Sequence, residues 1–322
     1  MNINQLDIGL NYKDIVLIPK KGIVDSRDDV DVSCEFFGRK YKLPVCPANM
    51  KSVINFDIAE WLSKNNYFYI LHRFYDYKNI LDWIKQNQDL PLISISLGVK
   101  DKDRDLYVKI NNNKLRVDII TIDISHGFSE KMEMMIKSLK NMGFKGKIIA
   151  GNIWGDKNSV ESLTKWGADA LKIGLSYGQA CVSYQKTRIA SPMFSCGLEA
   201  SQWTNLPLIG DGSIRENGDI VLGICANYDM LMAGSIFAAC ENSPAEFAQT
   251  HISRRKIYYG SASVENKGHN KNIEGKSIYL DCNNMTYKQK LEEIKQDLSS
   301  ACSFLGGKDL SCIRYADYQV VF

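Results

Sequence analysis

One cysteine, in a loop that carries glycines, is the residue best placed in this chain to do covalent chemistry. Cys181 follows Gly167-Ala168-Asp169-Ala170-Leu171-Lys172-Ile173, which reads as a helix end, a turn and a short apolar strand, and then Gly174-Leu175-Ser176-Tyr177-Gly178-Gln179-Ala180. Parallel α/β folds keep their reactive groups in loops just beyond the carboxyl ends of strands, and a thiolate there is a nucleophile. Cysteine is also among the most buried residue types, and the chain has nine, so on position alone a core role competes for Cys181.

Small and polar residues collect where further strands would end: Pro47-Ala48-Asn49-Met50, Asp123-Ile124-Ser125-His126-Gly127, Gly151-Asn152, Gly210-Asp211-Gly212-Ser213 and Ala233-Gly234-Ser235. Gly212-Ser213 and Gly234-Ser235 can bring backbone N–H groups close to an anion, and the last two strand loops are the usual phosphate position in an eight-fold barrel. Each dipeptide alone is equally a common turn. Two roles are open to Asp211, acceptor for a ribose diol or N-cap of the following helix.

The elements that must position these residues are legible as a rhythm. Short apolar runs at 43–46, 67–71, 92–96, 117–122, 147–150, 170–173, 206–209 and 228–232 alternate with amphipathic stretches such as 54–63, 78–86, 129–142, 157–166 and 217–225. Eight strand candidates with helices between them predict an α/β fold, a (β/α)8 TIM barrel, as a single domain over residues 1–322. A doubly wound sheet is the rival, but the first βα turn lacks its G-x-G-x-x-G fingerprint. Residues 10–20 predict a short strand before Pro19. Residues 240–285 are polar and aperiodic and read as a flap after strand eight, with a solvated insertion as the plainer alternative. Residues 286–322 read as a closing helix, 287–304, and a packed tail through Ile313, Tyr315, Tyr318, Val320 and Phe322.

Composition narrows the partners. The 322 residues are 45% hydrophobic, enough for a large core, and Lys plus Arg (40) nearly balances Asp plus Glu (37), for a net charge of +3. That gives no electrostatic case for nucleic acid or an acidic membrane, while a small anion remains compatible. The nine cysteines are scattered, without a C-x-x-C pair, unlike a disulfide framework or a zinc site. No apolar run has the length of a signal-peptide core near the amino terminus or of a membrane span anywhere, so a cytoplasmic setting is expected.

Taken in order, the blocks resemble the family of IMP dehydrogenases and GMP reductases over nearly the whole chain. They are Leu10-Asn11-Tyr12-Lys13-Asp14, Ala48-Asn49-Met50, Leu71-His72-Arg73-Phe74-Tyr75, Asp123, Ala150-Gly151-Asn152, Lys172-Ile173-Gly174 leading to Cys181, and Lys186-Thr187. They continue with Asp211-Gly212-Ser213, Met232-Ala233-Gly234-Ser235, Tyr258-Tyr259-Gly260 and Ile273-Glu274-Gly275-Lys276. The reductase branch is the more similar: no regulatory domain fits between Arg73 and Leu92, the stretch 263–274 is short, and Ala48-Asn49-Met50 has the reductase form. The chain departs from the family's pattern at Gln179, usually a phosphate-holding serine, and at Val182 and Ser183, usually threonines. It departs also at Gly174-Leu175-Ser176-Tyr177-Gly178, usually Gly-x-Gly-Pro-Gly, and at Lys51, usually aspartate. The bulkier loop is expected to adopt positive φ less readily.

The resemblance implies NADPH-dependent reductive deamination of GMP to IMP, through attack of the Cys181 thiolate on C2 of the purine, loss of ammonia and hydride transfer. It implies that Ser183 relays a proton and that Glu274 helps protonate the leaving ammonia; the residues themselves leave open a serine bonded to its own loop and a solvated turn glutamate. Implied substrate contacts are Asn49, Met50, Gln179, Asp211, Gly212, Ser213, Gly234, Ser235, Tyr259, Gly260 and Ser261. Implied cofactor contacts are Arg73, Asp123, Ser125, Gly151, Asn152, Lys271 and Gly275, with Asp123 on the nicotinamide side. A monovalent cation, K+, beside Gly174, Gly178 and Cys181, and a homotetramer are implied too, with no nucleic-acid or membrane partner. Three other functions stay open: the same chemistry on another guanine-like or deazapurine nucleotide, IMP dehydrogenation, and a non-catalytic nucleotide-binding paralogue.

Overall fold

Strand candidates flanked by one-faced helices have an economical solution in a curled parallel sheet with the helices outside it. The computed structural model, which describes residues 9–248, 254–269, 271 and 273–321, has this arrangement. Expectations for residues 1–8, for 249–253, 270 and 272 of the flap, and for Phe322 lie outside the described residues.

Seven strands run parallel in the order Val45–Pro47, Met230–Ala233, Leu208–Asp211, Ala170–Ile173, Lys147–Ile153, Ile119–Asp123 and Ser94–Leu97. The remaining stave is the extended segment 67–71, buried at Phe68 through Leu71. It meets the strand Ser94–Leu97 through Leu71, whose N–H donates to Ser94 O at 3.1 Å and whose carbonyl accepts from Ser96 N at 3.0 Å. On its other side Lys42 N donates to Asn66 O at 3.0 Å. The fold is α/β, a (β/α)8 barrel, as the rhythm of the sequence predicts.

The predicted helices form at Phe56–Lys64, Tyr77–Gln86, Glu130–Asn141, Lys157–Trp166, Asn217–Cys225 and Tyr287–Phe304. Their starts follow from capping: Asn55 accepts from Ile58 N, Asp156 from Ser159 N and Thr286 from Gln289 N. Gly167, at φ +104°, ends the fourth of these, a left-handed position that favours glycine. Asp101–Asn112 and Met193–Trp203 are further helices of the outer ring.

Two segments outside the barrel matter to the site. Ile15–Leu17 pairs antiparallel with Tyr318–Val320, so the chain's two ends form one ribbon. The flap differs from its sequence reading. Instead of irregular chain it contains an antiparallel hairpin, Arg255–Tyr259 with Ser277–Asp281. Its root is fixed by Lys256, a buried ammonium that donates to Ser243 O at 3.2 Å and Ala245 O at 2.9 Å and lies 3.9 Å from the Phe247 ring centroid.

Strand register brings the chemistry to one rim. Asp123 pairs with Gly151, Gly151 with Lys172, and Asp211 with Met232, so the carboxyl ends of four strands and the loop after Ile173 lie side by side.

Candidate active site

The thiol sits at the meeting of barrel and hairpin. Cys181 is half-buried and forms an isolated antiparallel bridge with Gly275 of the hairpin connection. Val182 N donates to Glu274 O at 2.9 Å, and Lys276 N to Ala180 O at 2.8 Å. This short ladder aligns three side chains. The Cys181 thiol donates to Ser183 Oγ at 3.4 Å, and the Ser183 hydroxyl donates to Glu274 Oε2 at 2.5 Å. Ser183 and Glu274 therefore stand beside the thiol, with the serine turned to a carboxylate and the glutamate holding a partner. The geometry is that of a nucleophile with a base reached through one hydroxyl.

Behind the thiol lies a buried charge cluster. Lys172, 1% exposed, places its ammonium 2.8 Å from Asp123 Oδ1 and 2.5 Å from Asp211 Oδ2, and it also donates to Asn152 Oδ1. Asn152 Nδ2 donates in turn to Asp211 Oδ2 at 2.8 Å and to Gly174 O at 2.7 Å. Arg73 Nε donates to Asp123 O at 3.2 Å. Burial works to raise the Asp123 carboxyl, but the Lys172 ammonium and Arg73 outweigh it and hold it below the ordinary carboxylate range. Burial likewise works to lower Lys172, and its two aspartates raise it above the ordinary lysine value. Asp211 does not cap the next helix, which starts after Glu216.

The rim loops supply small groups and strained backbone. Gly174, Gly212 and Ser213 have φ of +139°, +114° and +64°. A Cβ on Gly174 would fall 2.0 Å from Asp211 O, so only glycine fits there. The loop before the thiol does reach positive φ despite its lost glycines, at Ser176 (φ +64°), at a cost of about 1–2 kcal/mol for a left-handed residue with a Cβ. Ser235 begins the short helix Ser235–Ala238 behind Gly234, and Gln179 is half-buried on the thiol's own loop.

Some expected residues sit elsewhere. Tyr259 is half-buried on the opposite side of its strand from Tyr258, near Glu246 and Glu265. Tyr258, quoted in the sequence reading but given no role there, is the inward residue: its hydroxyl lies 3.6 Å from Met50 Sδ, and a Cβ on Gly234 would fall 2.3 Å from it. Burial raises this phenol well above its ordinary value against the pull of Arg215, so at neutral pH it is a donor. Gly260 and Gly275 face each other, a Cβ on either approaching the other's Cα to 3.2 Å, so Gly275 belongs to the thiol side of the site. Ser261 accepts from Asn266 Nδ2 through its carbonyl at 2.7 Å. Lys271 and Ser125 are exposed. Lys172 itself was assigned no role in advance; a lysine inside the apolar run Ala170–Ile173 is the signal that marks it.

The groups around Asp123 suit a nicotinamide and its ribose. Arg73, Asp123, Gly151 and Asn152 adjoin one another, and the buried Asn49 amide faces Asp123, which it helps to hold ionised. The carbonyls expected to hold a monovalent cation are engaged, Gly174 O with Asn152 Nδ2 and Gly178 O with Cys181 N at 2.9 Å.

Removing the ammonium should expose this balance. Lys172→Met leaves two carboxylates together and is expected to lose roughly 3–5 kcal/mol of stability at pH 7. Without the lysine the Asp123 carboxyl shifts upward, so the deficit against the unsubstituted protein shrinks as pH falls through its raised value. In the unsubstituted protein Asp123, depressed, contributes fully above about pH 4 and loses that contribution only below it. Denaturant midpoints of both proteins between pH 5 and 8 check this; a deficit that is constant with pH contradicts it.

Comparison with known proteins agrees with the geometry. The family model described as IMP dehydrogenase / GMP reductase domain matches residues 9–304. Proteins named GMP reductase from Staphylococcus carnosus (strain TM300) and Staphylococcus aureus (strain JH9) are each 42% identical to this chain over 314 residues, 97% of this chain and 96% of theirs. The one from Staphylococcus aureus (strain Newman) is 41% identical over the same span. The chain belongs to the IMP dehydrogenase / GMP reductase family.

Proposed function

We propose that this protein reduces GMP to IMP and ammonia with NADPH. The observation that carries the reading is the relay from Cys181 through Ser183 to Glu274, with distances of 3.4 and 2.5 Å, and the similarity to proteins named GMP reductase supports the substrate. Glu274 takes the Ser183 proton as Ser183 takes the thiol proton, leaving a thiolate at Cys181. Sγ then bonds to C2 of the guanine. The same path in reverse delivers the proton to the departing amino group, which leaves as ammonia and gives a thioimidate between Sγ and C2. NADPH, when bound, supplies the hydride that reduces C2. Cleavage of the C2–Sγ bond returns the Cys181 thiolate with IMP as product.

The remaining residues bind and orient. Gly212, Ser213, Gly234, Ser235 and the Tyr258 phenol hold the 5′-phosphate, with Gln179 approaching it from the thiol loop. Asp211 takes the ribose diol through its oxygen turned from Lys172. Asn49 and Met50 flank the base, and Tyr259, Gly260 and Ser261 belong to the hairpin's side of the pocket. Arg73, Asp123, Gly151 and Asn152 would hold the nicotinamide half, with the exposed Ser125 and Lys271 at its outer edge and Gly275 beside the thiol. No step is routed through a cation.

A second reading, another guanine-like or deazapurine nucleotide, is favoured by Tyr177 and Gln179, both half-buried in the loop beside the thiol. The protein is proposed to be cytoplasmic, supported by nine cysteines that are all unpaired, and homotetrameric. Exposed apolar groups on the terminal ribbon and tail, Val16, Ile18, Tyr315 and Val321, support association. Among the described residues no helix is long and apolar enough to cross a membrane.

Three outcomes are expected. Cys181→Ala abolishes oxidation of NADPH in the presence of GMP while nucleotide affinity stays within about an order of magnitude, a loss in kcat and not KM; retained turnover removes the nucleophile assignment. Gln179→Ser relieves crowding at the phosphate and raises activity on GMP, whereas lowered activity makes the glutamine a specific contact. Light scattering at micromolar concentration gives about four times the chain mass of 36.4 kDa, and a monomeric mass contradicts the assembly.

A further inference from the structure

Tyr177 stands immediately before the turn that delivers the thiol, closed by Cys181 N donating to Gly178 O at 2.9 Å. It is held from three sides, by two residues distant in sequence and by one on the helix that follows the thiol. Its hydroxyl accepts from Asn11 Nδ2 at 3.2 Å, and its carbonyl accepts from Arg215 Nη2 at 3.0 Å. Its ring stacks on Tyr184 with centroids 6.4 Å apart and planes 18° from parallel.

Each holder is itself fixed. Asn11 accepts from Met193 N at 3.3 Å through Oδ1 while its own N–H donates to Asp14 Oδ2 at 2.8 Å. Arg215 N donates to Asp219 Oδ2 at 2.6 Å. Tyr184 follows Ser183 on the short helix Ser183–Thr187, so the Tyr177–Tyr184 stack spans the stretch that contains both Cys181 and the relay hydroxyl. The loop is also pressed against the seventh strand's loop, where a Cβ on Gly212 would come within 3.5 Å of Gly178 N.

We propose that Tyr177 is a positioning residue for the nucleophile, and that Asn11 and Arg215 clamp it so that Cys181 Sγ stays within reach of Ser183. A loop with few glycines and one left-handed serine is held by side-chain and carbonyl bonds. Because the reacting sulfur must keep its place to within a fraction of an ångström, loss of the clamp is read in the chemistry.

The proposal rests on Cys181 as nucleophile, and its test separates the two. Tyr177→Ala is expected to lower kcat for GMP reduction on the order of 100-fold with KM changed by less than about threefold. It should also slow alkylation of Cys181 by iodoacetamide at pH 7, in the absence of any ligand, by about tenfold, because the sulfur no longer keeps its place beside the Ser183 hydroxyl that accepts its proton. Tyr177→Phe, which keeps ring and carbonyl and loses only the Asn11 bond, falls between the two proteins. Arg215→Lys retains more of both rates than Arg215→Ala. Should Tyr177→Ala fail to fold, Tyr177→Phe and Arg215→Ala carry the same test, each removing one bond. An effect on KM alone makes Tyr177 a ligand contact and overturns the clamp, as does alkylation that is unchanged or faster. If the unsubstituted protein turns over no purine nucleotide, the functional reading falls, and the alkylation rates still decide the clamp.

Discussion

A lysine ammonium buried at the centre of a barrel rim is the constraint on which the site depends. Taking one such charge out of water costs several kcal/mol, and the attraction of partners must offset it. Lys172 obtains that offset from Asp123 and Asp211, on either side of it in the sheet, and from the Asn152 amide. The bargain works in both directions, since the ammonium is what holds the Asp123 carboxyl ionised against its burial. The fourth to seventh strands are thereby tied together at their carboxyl ends by charge as well as by backbone hydrogen bonds. The site's polarity is a residue of how the cluster is satisfied.

Much of this was legible in the sequence because periodicity is local. A run such as Ala170–Ile173 followed by a glycine declares a strand end within seven residues, and eight such runs imply a barrel whatever their contacts. Residues whose meaning depends on distant partners were not legible in that way. Lys172 stands out as a charge in an apolar strand, but one of its partners, Asp211, is 39 residues away, and nothing local says whether such a lysine pairs, binds or disrupts. Family resemblance located Cys181, Ser183 and Glu274, and the structure adds that they touch.

The errors have physical causes as well. The hairpin escaped notice because Ser277–Asp281 is exposed on alternate residues and only partly buried between them, so it carries little apolar signal. Asp101–Asn112 buries few apolar side chains on an otherwise charged surface, which hides its helical period. Tyr258 and Tyr259 are adjacent and chemically alike; only the pleat of the strand decides which one faces Gly234, and that cannot be read until the pairing is known.

In the proposed reaction the base for Cys181 is carried by the hairpin connection and not by the barrel, and Glu274 lies 91 residues beyond Ser183 in the chain. During synthesis at roughly 5–20 residues per second, the thiol would therefore exist for about 5–20 s before its base has been made. An unfinished or truncated chain can build most of the barrel's strands and still hold only an ordinary cysteine. Separation along the sequence thus acts as a safeguard in time: the sulfur acquires its reactivity after the fold that shelters it is nearly complete.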